Sequence, residues 1–488
     1  MLSQKNENPT LQQKSVRGIK WQISTEVLAR AIRLATMFVL AHLLLPADFG
    51  LIGMALIFTQ LAYVLFDLGL SVPLIQKKDL QPIHYQTTFT IFLVLALIFY
   101  SLLFLFAPLI AQFFKNDQLI AILRWLSLVF FLYAFRGIPS VRLTKQLRFR
   151  ALGILQLSST LIYALIAASM AVMGFGVWSF VLAIIGQEVV FTLGSIVVLK
   201  EWYGLKFSRA ALAELSSFGG TVFLTRIVGY LNVNLPNIVI GRWLGETALG
   251  YYSVGYQLVD FPVQRISKNV LRVMFPTFSR VQDQPLEFNR LYQETVRGIL
   301  LVILPLFTGM AFIAPEFVQI FYGDKWRPLI PILQILTVVG LARSLWTLAS
   351  VVVLAKGKPE KELKMNLIYF VLLTLVLFVS LFHGLLMVVT GVAIVIFALT
   401  VLFLIQSTKL MQFPLPQWIR TARTSVVSSF VMAASLWLVR ILIPQAVGVA
   451  GRLILLFVVG IVVYFLSAFL LEPGLKNYLA KFLGRGTK

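Results

Sequence analysis

Residues 18–42 read GIKWQISTEVLARAIRLATMFVLAH, a largely apolar stretch long enough to cross a bilayer, interrupted by Glu26, Arg30 and Arg33. The spacings of four and three residues place these ionisable side chains on one face of a helix, with Gln22 one turn earlier. A charge at the bilayer centre costs about 2.5–3.5 kcal/mol on insertion scales. The stretch therefore predicts a membrane helix whose charged face meets protein or water, and a hydrated cavity with a positive lining.

The composition of the whole chain agrees with a membrane location. Hydrophobic residues make up 59% and charged residues 12% of the 488 residues, and the mean hydropathy is +0.89. Soluble domains average about 45–50% apolar and about 25% charged residues. We expect an all-α polytopic membrane protein, because about fourteen stretches are long enough to cross a core of ~30 Å. They lie near 18–42, 50–72, 87–111, 119–140, 152–173, 176–199, 214–241, 249–273, 293–314, 329–354, 365–383, 385–406, 422–443 and 450–471.

The net charge of +23 is distributed in a way that predicts topology. With a cytoplasmic N-terminus, most Lys and Arg residues between the spans fall in cytoplasmic segments, among them Arg142, Arg148 and Lys358. This distribution follows the positive-inside rule. We therefore expect a multi-pass protein of the cytoplasmic (inner) membrane with both termini cytoplasmic. The bilayer, rather than a nucleic acid, explains the basic charge.

Two loops indicate an internal repeat. Leu44–Gly50 reads LLPADFG and Leu244–Gly250 reads LGETALG, each with an acidic residue before the next helix and a final glycine. An even number of predicted spans separates the loops, so both halves have the same orientation, as in transporters that bind substrate between parallel repeats. The sequence predicts two six-helix lobes related by pseudo-two-fold symmetry, at 1–210 and 211–408, and a C-terminal helix pair with a cytoplasmic tail at 409–488.

Three further predicted spans carry polar residues. The second span holds Asp67 near its end, and the seventh holds Arg226 together with Gly229 and Pro236, which predict a kink or a break. The eighth span has a continuous polar face with a repeat of three or four residues, beside Arg265: Ser253, Gln257, Asp260, Gln264 and Lys268. The polar spans 1, 2, 7 and 8 are equivalent pairs across the predicted repeat.

Several of these charges have a purely structural alternative. Glu26 and Arg30 fit an ion pair within one helix, which leaves Arg33 without a local partner and favours an anionic ligand there. Arg226 is compatible with snorkelling or with an acidic partner on another span, either Asp67 or Asp260.

The remaining charged candidates also have structural alternatives to a functional role. Asp48 fits a cap at the start of the second span, and Asp67 fits an ordinary interface residue. Arg265 lies close to Lys268 and Arg272, near the cytoplasmic end of its span, where basic anchors are common.

The sequence carries no signature of catalysis or of a bound cofactor. It has no Walker-type loop, its three His residues are isolated, and the longest outer loop, near 315–328, lacks paired carboxylates or a nucleophile motif. We expect no enzyme activity, cofactor or metal site. Arginines outnumber acidic residues in the polar spans, and guanidinium groups match phosphate oxygens, which favours a pyrophosphate-bearing substrate over a cationic drug.

Several motifs resemble the Wzx-type polysaccharide flippases of the multidrug/oligosaccharidyl-lipid/polysaccharide exporter superfamily. They are Leu44–Gly50, the DLGL that begins at Asp67, 251–262 (YYSVGYQLVDFP), 275–282 (FPTFSRVQ), 314–317 (APEF) and 323–328 (GDKWRP). The resemblance extends from about residue 15 to beyond 400. It implies two lobes, formed by helices 1–6 and 7–12, alternating access, and a polyprenyl-pyrophosphate-linked glycan as substrate.

The resemblance also implies roles for individual residues. Arg33 and Asp48 look like the first-helix Arg and first-loop Asp of the related lipid II flippases, whereas Gln257 stands where those proteins carry an Arg, which favours a different glycan. The predicted substrate-binding residues are Arg30, Arg33, Arg226, Gln257 and Arg265. The predicted coupling or gating residues, which compete with phosphate or bind a coupling proton or sodium ion, are Glu26, Asp48, Asp67 and Asp260.

Two other functions stay open at the level of sequence. A drug or cation antiporter of the same superfamily is the first alternative, although acidic residues do not dominate the polar spans. A membrane enzyme that polymerises or ligates glycans is the second, and the short loops argue against it.

Overall fold

The computed structural model describes residues 11–66, 70–77, 79–215, 220–444 and 447–474. For some residues within these ranges it describes the backbone but not the side chain: 11–20, 22, 23, 72, 215, 220–226, 268 and 272. The chain divides into two compact units. The first unit extends to Tyr230 and includes Gly245–Thr247, and the second comprises 231–244 and the chain from Ala248 onward.

The first unit is helical and begins with nine of the helices that we number along the chain. They are α1 (Leu11–Leu43), α2 (Pro46–Phe66), α3 (Ser71–Gln76), α4 (Pro82–Phe114), α5 (Gln118–Ser127), α6 (Val129–Lys145), α7 (Phe149–Val172), α8 (Trp178–Leu199) and α9 (Arg209–Leu215). Proline begins α2 and α4, where its missing N–H removes no hydrogen bond.

The remaining helices are α10 (Gly220–Trp243), α11 (Gly245–Pro262), α12 (Lys268–Arg280), α13 (Pro285–Phe321), α14 (Leu329–Ala355), α15 (Pro359–Ser380), α16 (Leu385–Met411), α17 (Leu415–Leu442) and α18 (Val449–Leu471). A π-helical turn, Val263–Ser267, joins α11 to α12 directly after Pro262, which has no N–H to donate to the preceding turn. By contrast, α10 continues through Gly229 and Pro236 without a break, and a kink at these residues stays a prediction.

Eleven helical segments among the described residues are long and apolar enough to cross a membrane, which confirms an all-α polytopic fold. The other three predicted spans, 18–42, 214–241 and 249–273, coincide with α1, α10 and α11–α12. These helices are more polar, and they belong to three of the four spans in which the sequence places charged faces; residues 216–219 of the predicted span 214–241 lie outside the described residues. The total of fourteen stays a prediction.

Each unit packs its helices in the same order. In the first unit α4 packs on α6, α6 on α8, α8 on α7 and α7 on α1; in the second, α13 packs on α14, α14 on α16 and α16 on α15. The Asn232 amide of α10 then donates to the Asn366 carbonyl of α15 at 3.1 Å. This repeated order supports the predicted internal repeat.

A pair of lysines repeats as well. Lys145 ends α6 and donates to the Lys77 carbonyl at 2.6 Å, and Lys356 follows α14 and donates to the Gln282 carbonyl. Each lysine thus holds a loop of its own unit by the same kind of contact.

The C-terminal pair α17–α18 packs on α13 within the second unit. Arg440 of α17 pairs with Glu316 of α13 at 3.0 Å, Tyr464 of α18 donates to the Leu301 carbonyl at 3.0 Å, and Arg297 pairs with Glu472 beyond α18. The pair is therefore fixed to α13 by polar contacts at several levels.

Candidate anion-binding site

The orientation of α1 follows from its packing on α7. Thr25, Ala29, Thr36 and Leu40 form a buried stripe at helical spacing. A Cβ on Gly153 of α7 would lie 2.5 Å from Thr25 Oγ1, so only glycine permits this close approach. With that stripe against α7, the face that carries Glu26 and Arg33 points out of the first unit.

Arg33 is the exposed cation of this face. Its Nη2 donates to Gln187 Oε1 of α8 at 3.3 Å, and it forms no ion pair with any residue that the structure describes. Glu26 is half exposed and pairs with Arg30, which is more buried. A guanidinium that faces lipid within a membrane span is unfavourable, so the face of α1 is suited to water or to an anionic ligand.

A second charged pair lies beside Arg33 within the same unit. Arg136 Nη1 of α6 contacts Glu188 Oε2 of α8 at 2.6 Å, and the Glu188 side chain is 8% exposed. The Arg136 guanidinium also lies over the rings of Tyr133 and Phe191, at 4.8 and 5.1 Å from their centroids. Because Glu188 neutralises Arg136, Arg33 supplies the positive charge that is available to a ligand here.

The second unit contains a comparable buried pair. Arg343 Nη1 of α14 contacts Asp260 Oδ1 of α11 at 2.5 Å and lies over the Tyr256 ring at 5.1 Å. Gln264 Nε2 donates to the same Asp260 oxygen at 3.4 Å. A small cavity of about 40 Å³ adjoins Arg343 and Tyr252, large enough for a water molecule.

The other predicted site residues are distributed between the two units. Gln257 is exposed on α11, one turn before Asp260, and Arg265 lies half-buried in the π-helical turn. Asp48 is the third residue of α2 and accepts a hydrogen bond from the N–H of Leu45, the residue before the helix, at 2.9 Å, which is the return contact of a capping box and not that of an N-cap. The residue Asp67 and the side chain of Arg226 lie outside the described residues.

Arg136, Gln187, Glu188 and Arg343 were not predicted from the sequence. Three of them are ionisable residues within long apolar spans, the same signal that identified the charged face of α1. Their spans are otherwise so apolar that one or two charges in each do not form a stripe; the span at 119–140 holds Arg124 besides Arg136. Their pairing joins residues 52 and 83 positions apart and cannot be read from helical spacing.

Comparisons with known proteins agree with this architecture. The profile of a family described as "Polysaccharide biosynthesis protein" matches residues 39–331. The lipopolysaccharide biosynthesis protein WzxC of Escherichia coli is 28% identical over 73% of each chain. The teichuronic acid biosynthesis protein TuaB of Bacillus subtilis is 26% identical over 72% of this chain and 73% of its own.

Among solved structures, the lipid II flippase MurJ in an inward closed conformation has a similar fold. The two chains superpose with a TM-score of 0.71 at 16% sequence identity, and the match covers 94% of this chain and 99% of the MurJ chain. At this identity the likeness concerns the fold.

Proposed function

The chain belongs to the polysaccharide biosynthesis protein family, and from this membership we propose that it is a flippase for lipid-linked oligosaccharide. It moves a polyprenyl-pyrophosphate-linked glycan from the cytoplasmic to the outer leaflet by alternating access, as a transporter and not as an enzyme. The names of its relatives, in lipopolysaccharide and teichuronic acid biosynthesis, and the flippase fold support this function.

The exposed Arg33 on α1 is the observation that carries the proposal for the site. A guanidinium presents its N–H groups in a planar fork that matches two phosphate oxygens. Arg33 has only the neutral amide of Gln187 as a hydrogen-bond partner among the described side chains, so its charge is available. Arg30, one turn earlier, can join it when Glu26 releases it.

The acidic partners provide a route for coupling. Glu26 competes with the pyrophosphate for Arg30, and protonation of Glu26 or binding of a sodium ion would favour the phosphate-bound state. A ligand shifts a conformational equilibrium only through its differential affinity for the two states. The membrane potential acts in the same direction on an anion moving outward, by about 2.3 kcal/mol per charge per 100 mV.

The other predicted residues have supporting roles in this proposal. Arg226, Gln257 and Arg265 contact the phosphates or the sugar, and Asp48, Asp67 and Asp260 belong to the gating groups. Both termini are cytoplasmic, in accord with the basic cytoplasmic segments.

Transport of a fluorescent polyprenyl-pyrophosphate sugar in proteoliposomes tests the function and the role of Arg33 separately. We expect flipping by the wild type and a loss of about tenfold or more in Arg33→Ala, because a charge-assisted contact contributes about 1.5–3 kcal/mol. Arg420→Ala, which removes an exposed cation from α17, is the matched control and should flip at the wild-type rate.

Each result has a distinct meaning. Wild-type rates in Arg33→Ala would remove this residue from the mechanism but leave the function intact. Transport of a cationic dye by the wild type, without any flipping of the sugar lipid, would replace the proposal with the drug antiporter.

A further inference from the structure

A groove with two unpaired opposite charges lies on α4 and α5 of the first unit, away from the face of α1. It has a volume of about 440 Å³ and is lined by Arg124 and Trp125 of α5, by Asp117 directly before α5, and by Tyr100 and Phe104 of α4. Neighbouring apolar side chains of α4 are exposed, including Leu105 and Leu109. In a membrane bundle such an apolar face contacts acyl chains, so the groove opens towards lipid.

One nitrogen of the Arg124 guanidinium is buried in this groove without a partner. Its Nε is buried without a hydrogen-bond acceptor, and no ion pair links it to any described residue. The guanidinium carbon lies 4.5 Å from the Phe104 ring centroid, so the ring covers one face and the N–H edges are left for acceptors. A buried donor without a partner is uncommon, and the Nη groups of Arg124, which are not among the buried atoms, are the donors that an acceptor in the groove can reach.

Asp117 supplies the complementary charge. It lies seven residues before Arg124, on the same face of the helix and about 10 Å away along its axis. The carboxylate is exposed, and within the part of the chain that the structure describes it forms no ion pair. Trp125 lies beside Arg124 and packs edge-on against Trp178, with the ring centroids 6.3 Å apart. Tryptophan is enriched at membrane interfaces.

We propose that this groove binds the headgroup of an aminophospholipid, with the phosphate on Arg124 and the primary ammonium group on Asp117. The phosphodiester supplies the acceptor that the guanidinium lacks, and the ammonium N–H groups pair with the carboxylate. The acyl chains then lie along the exposed apolar residues of α4. This site is independent of the proposed transport function and uses none of the residues assigned to it.

Native mass spectrometry of the purified full chain tests the site with dioleoyl phosphatidylethanolamine, phosphatidylcholine and phosphatidylglycerol in equal amounts. We expect one retained phosphatidylethanolamine in the wild type, in preference to phosphatidylcholine, whose choline has no N–H to donate, and to phosphatidylglycerol, which carries no ammonium group. Arg124→Gln should weaken retention about tenfold. Asp117→Asn should abolish the preference for phosphatidylethanolamine over phosphatidylglycerol.

The matched control is Arg327→Gln, which removes an exposed arginine that is already paired with Asp324 at 3.0 Å. It should retain lipid as the wild type does. Wild-type retention in Arg124→Gln, or an unchanged lipid preference in Asp117→Asn, would overturn the proposal. If Arg124→Gln does not elute as a monodisperse protein, the exposed Asp117→Asn substitution alone decides, because it disturbs no packed residue.

Discussion

Asp260 and Arg343 form a 2.5 Å ion pair that joins α11 to α14, and both side chains are largely buried, at 26% and 17% exposure. Removal of one partner from a buried pair leaves an uncompensated charge. We expect Arg343→Met and Asp260→Asn each to lower the thermal stability of the purified protein, and the double variant to be more stable than the sum of the single effects predicts. The coupling should be about 1–3 kcal/mol.

Arg290→Met is the control for this cycle. Arg290 is 66% exposed and pairs with Glu287 and Glu294 at 3.5 and 3.7 Å, and such surface pairs contribute little. Additive effects of the Asp260 and Arg343 substitutions would contradict a direct energetic link between the two side chains.

The Asp260–Arg343 pair also shows which part of a buried ion pair can be predicted from the sequence. The polar face of the eighth span identified Asp260, because residues three and four apart share a helical face. Its partner lies 83 residues away on α14, and helical spacing carries no information about contacts between helices. Arg136 and Glu188 went unnoticed for the same reason.

The span pattern was more predictable than the local geometry. Long apolar stretches located the membrane helices because a bilayer requires about 20 apolar residues in a row. The effect of Pro236 was not predictable, since a proline breaks a helix only where neighbouring groups do not satisfy the freed carbonyl. The structure shows α10 continuing through it.

The hydrogen bond between Gln187 and Arg33 predicts a positioning role for the amide. Gln187 Oε1 accepts from Arg33 Nη2 at 3.3 Å and orients the guanidinium without neutralising it. We expect Gln187→Leu to raise the KM for sugar-lipid flipping about twofold to tenfold with little change in maximal rate. Arg33→Lys, which keeps the charge but loses the planar fork, should fall between the wild type and Arg33→Ala.

The readout that distinguishes positioning from a structural defect is the split between KM and rate. If Gln187→Leu lowers the maximal rate and the thermal stability together, while KM is unchanged, the amide supports the fold and not the ligand. Gln417→Leu, at an exposed position on α17, serves as the control.

The ion pair between Arg440 and Glu316 predicts an asymmetric response to substitution. Glu316 is 9% exposed on its side chain and Arg440 is 37% exposed; Glu316 Oε2 has no hydrogen-bond partner among the described residues. Arg440→Met leaves the buried Glu316 carboxylate without its ion-pair partner and should lower the free energy of unfolding by about 1–3 kcal/mol. Glu316→Gln leaves Arg440 free to reach water, so it should cost less.

Thermal melts followed by size-exclusion chromatography in detergent compare the two variants. The double substitution Glu316→Gln/Arg440→Met should recover part of the stability lost in Arg440→Met. Equal losses in the two single variants would show that burial of Glu316 does not determine the stability of this contact.

The contacts of Glu214 on α9 with Lys77 and His84 should make the packing of this helix on α4 depend on pH. Glu214 Oε2 accepts from Lys77 Nζ at 2.9 Å and from His84 Nε2 of α4 at 3.3 Å. The Gln81 N–H donates to His84 Nδ1 at 3.1 Å, which places the imidazole proton on Nε2. The hydrogen bond from Lys77, followed by that from His84, lowers the pKa of Glu214 below its ordinary value of 4.5.

A carboxyl group whose pKa is lower in the folded state stabilises that state above its unfolded pKa, and the contribution is lost as pH falls through the folded pKa. The contribution of the Glu214 carboxylate to the attachment of α9 should therefore be lost as pH falls through the lowered pKa of Glu214, below its ordinary value of 4.5. Hydrogen exchange of the 209–215 amides, corrected for intrinsic rates, measures this directly.

Glu214→Gln should exchange faster at neutral pH and lose the dependence on pH, whereas Glu360→Gln, which replaces an exposed carboxylate on α15, should behave as the wild type. Protection of α9 that persists unchanged in Glu214→Gln would mean that the Ser208 N–H donating to Thr87 Oγ1 at 3.1 Å, and not the carboxylate, holds this segment to α4.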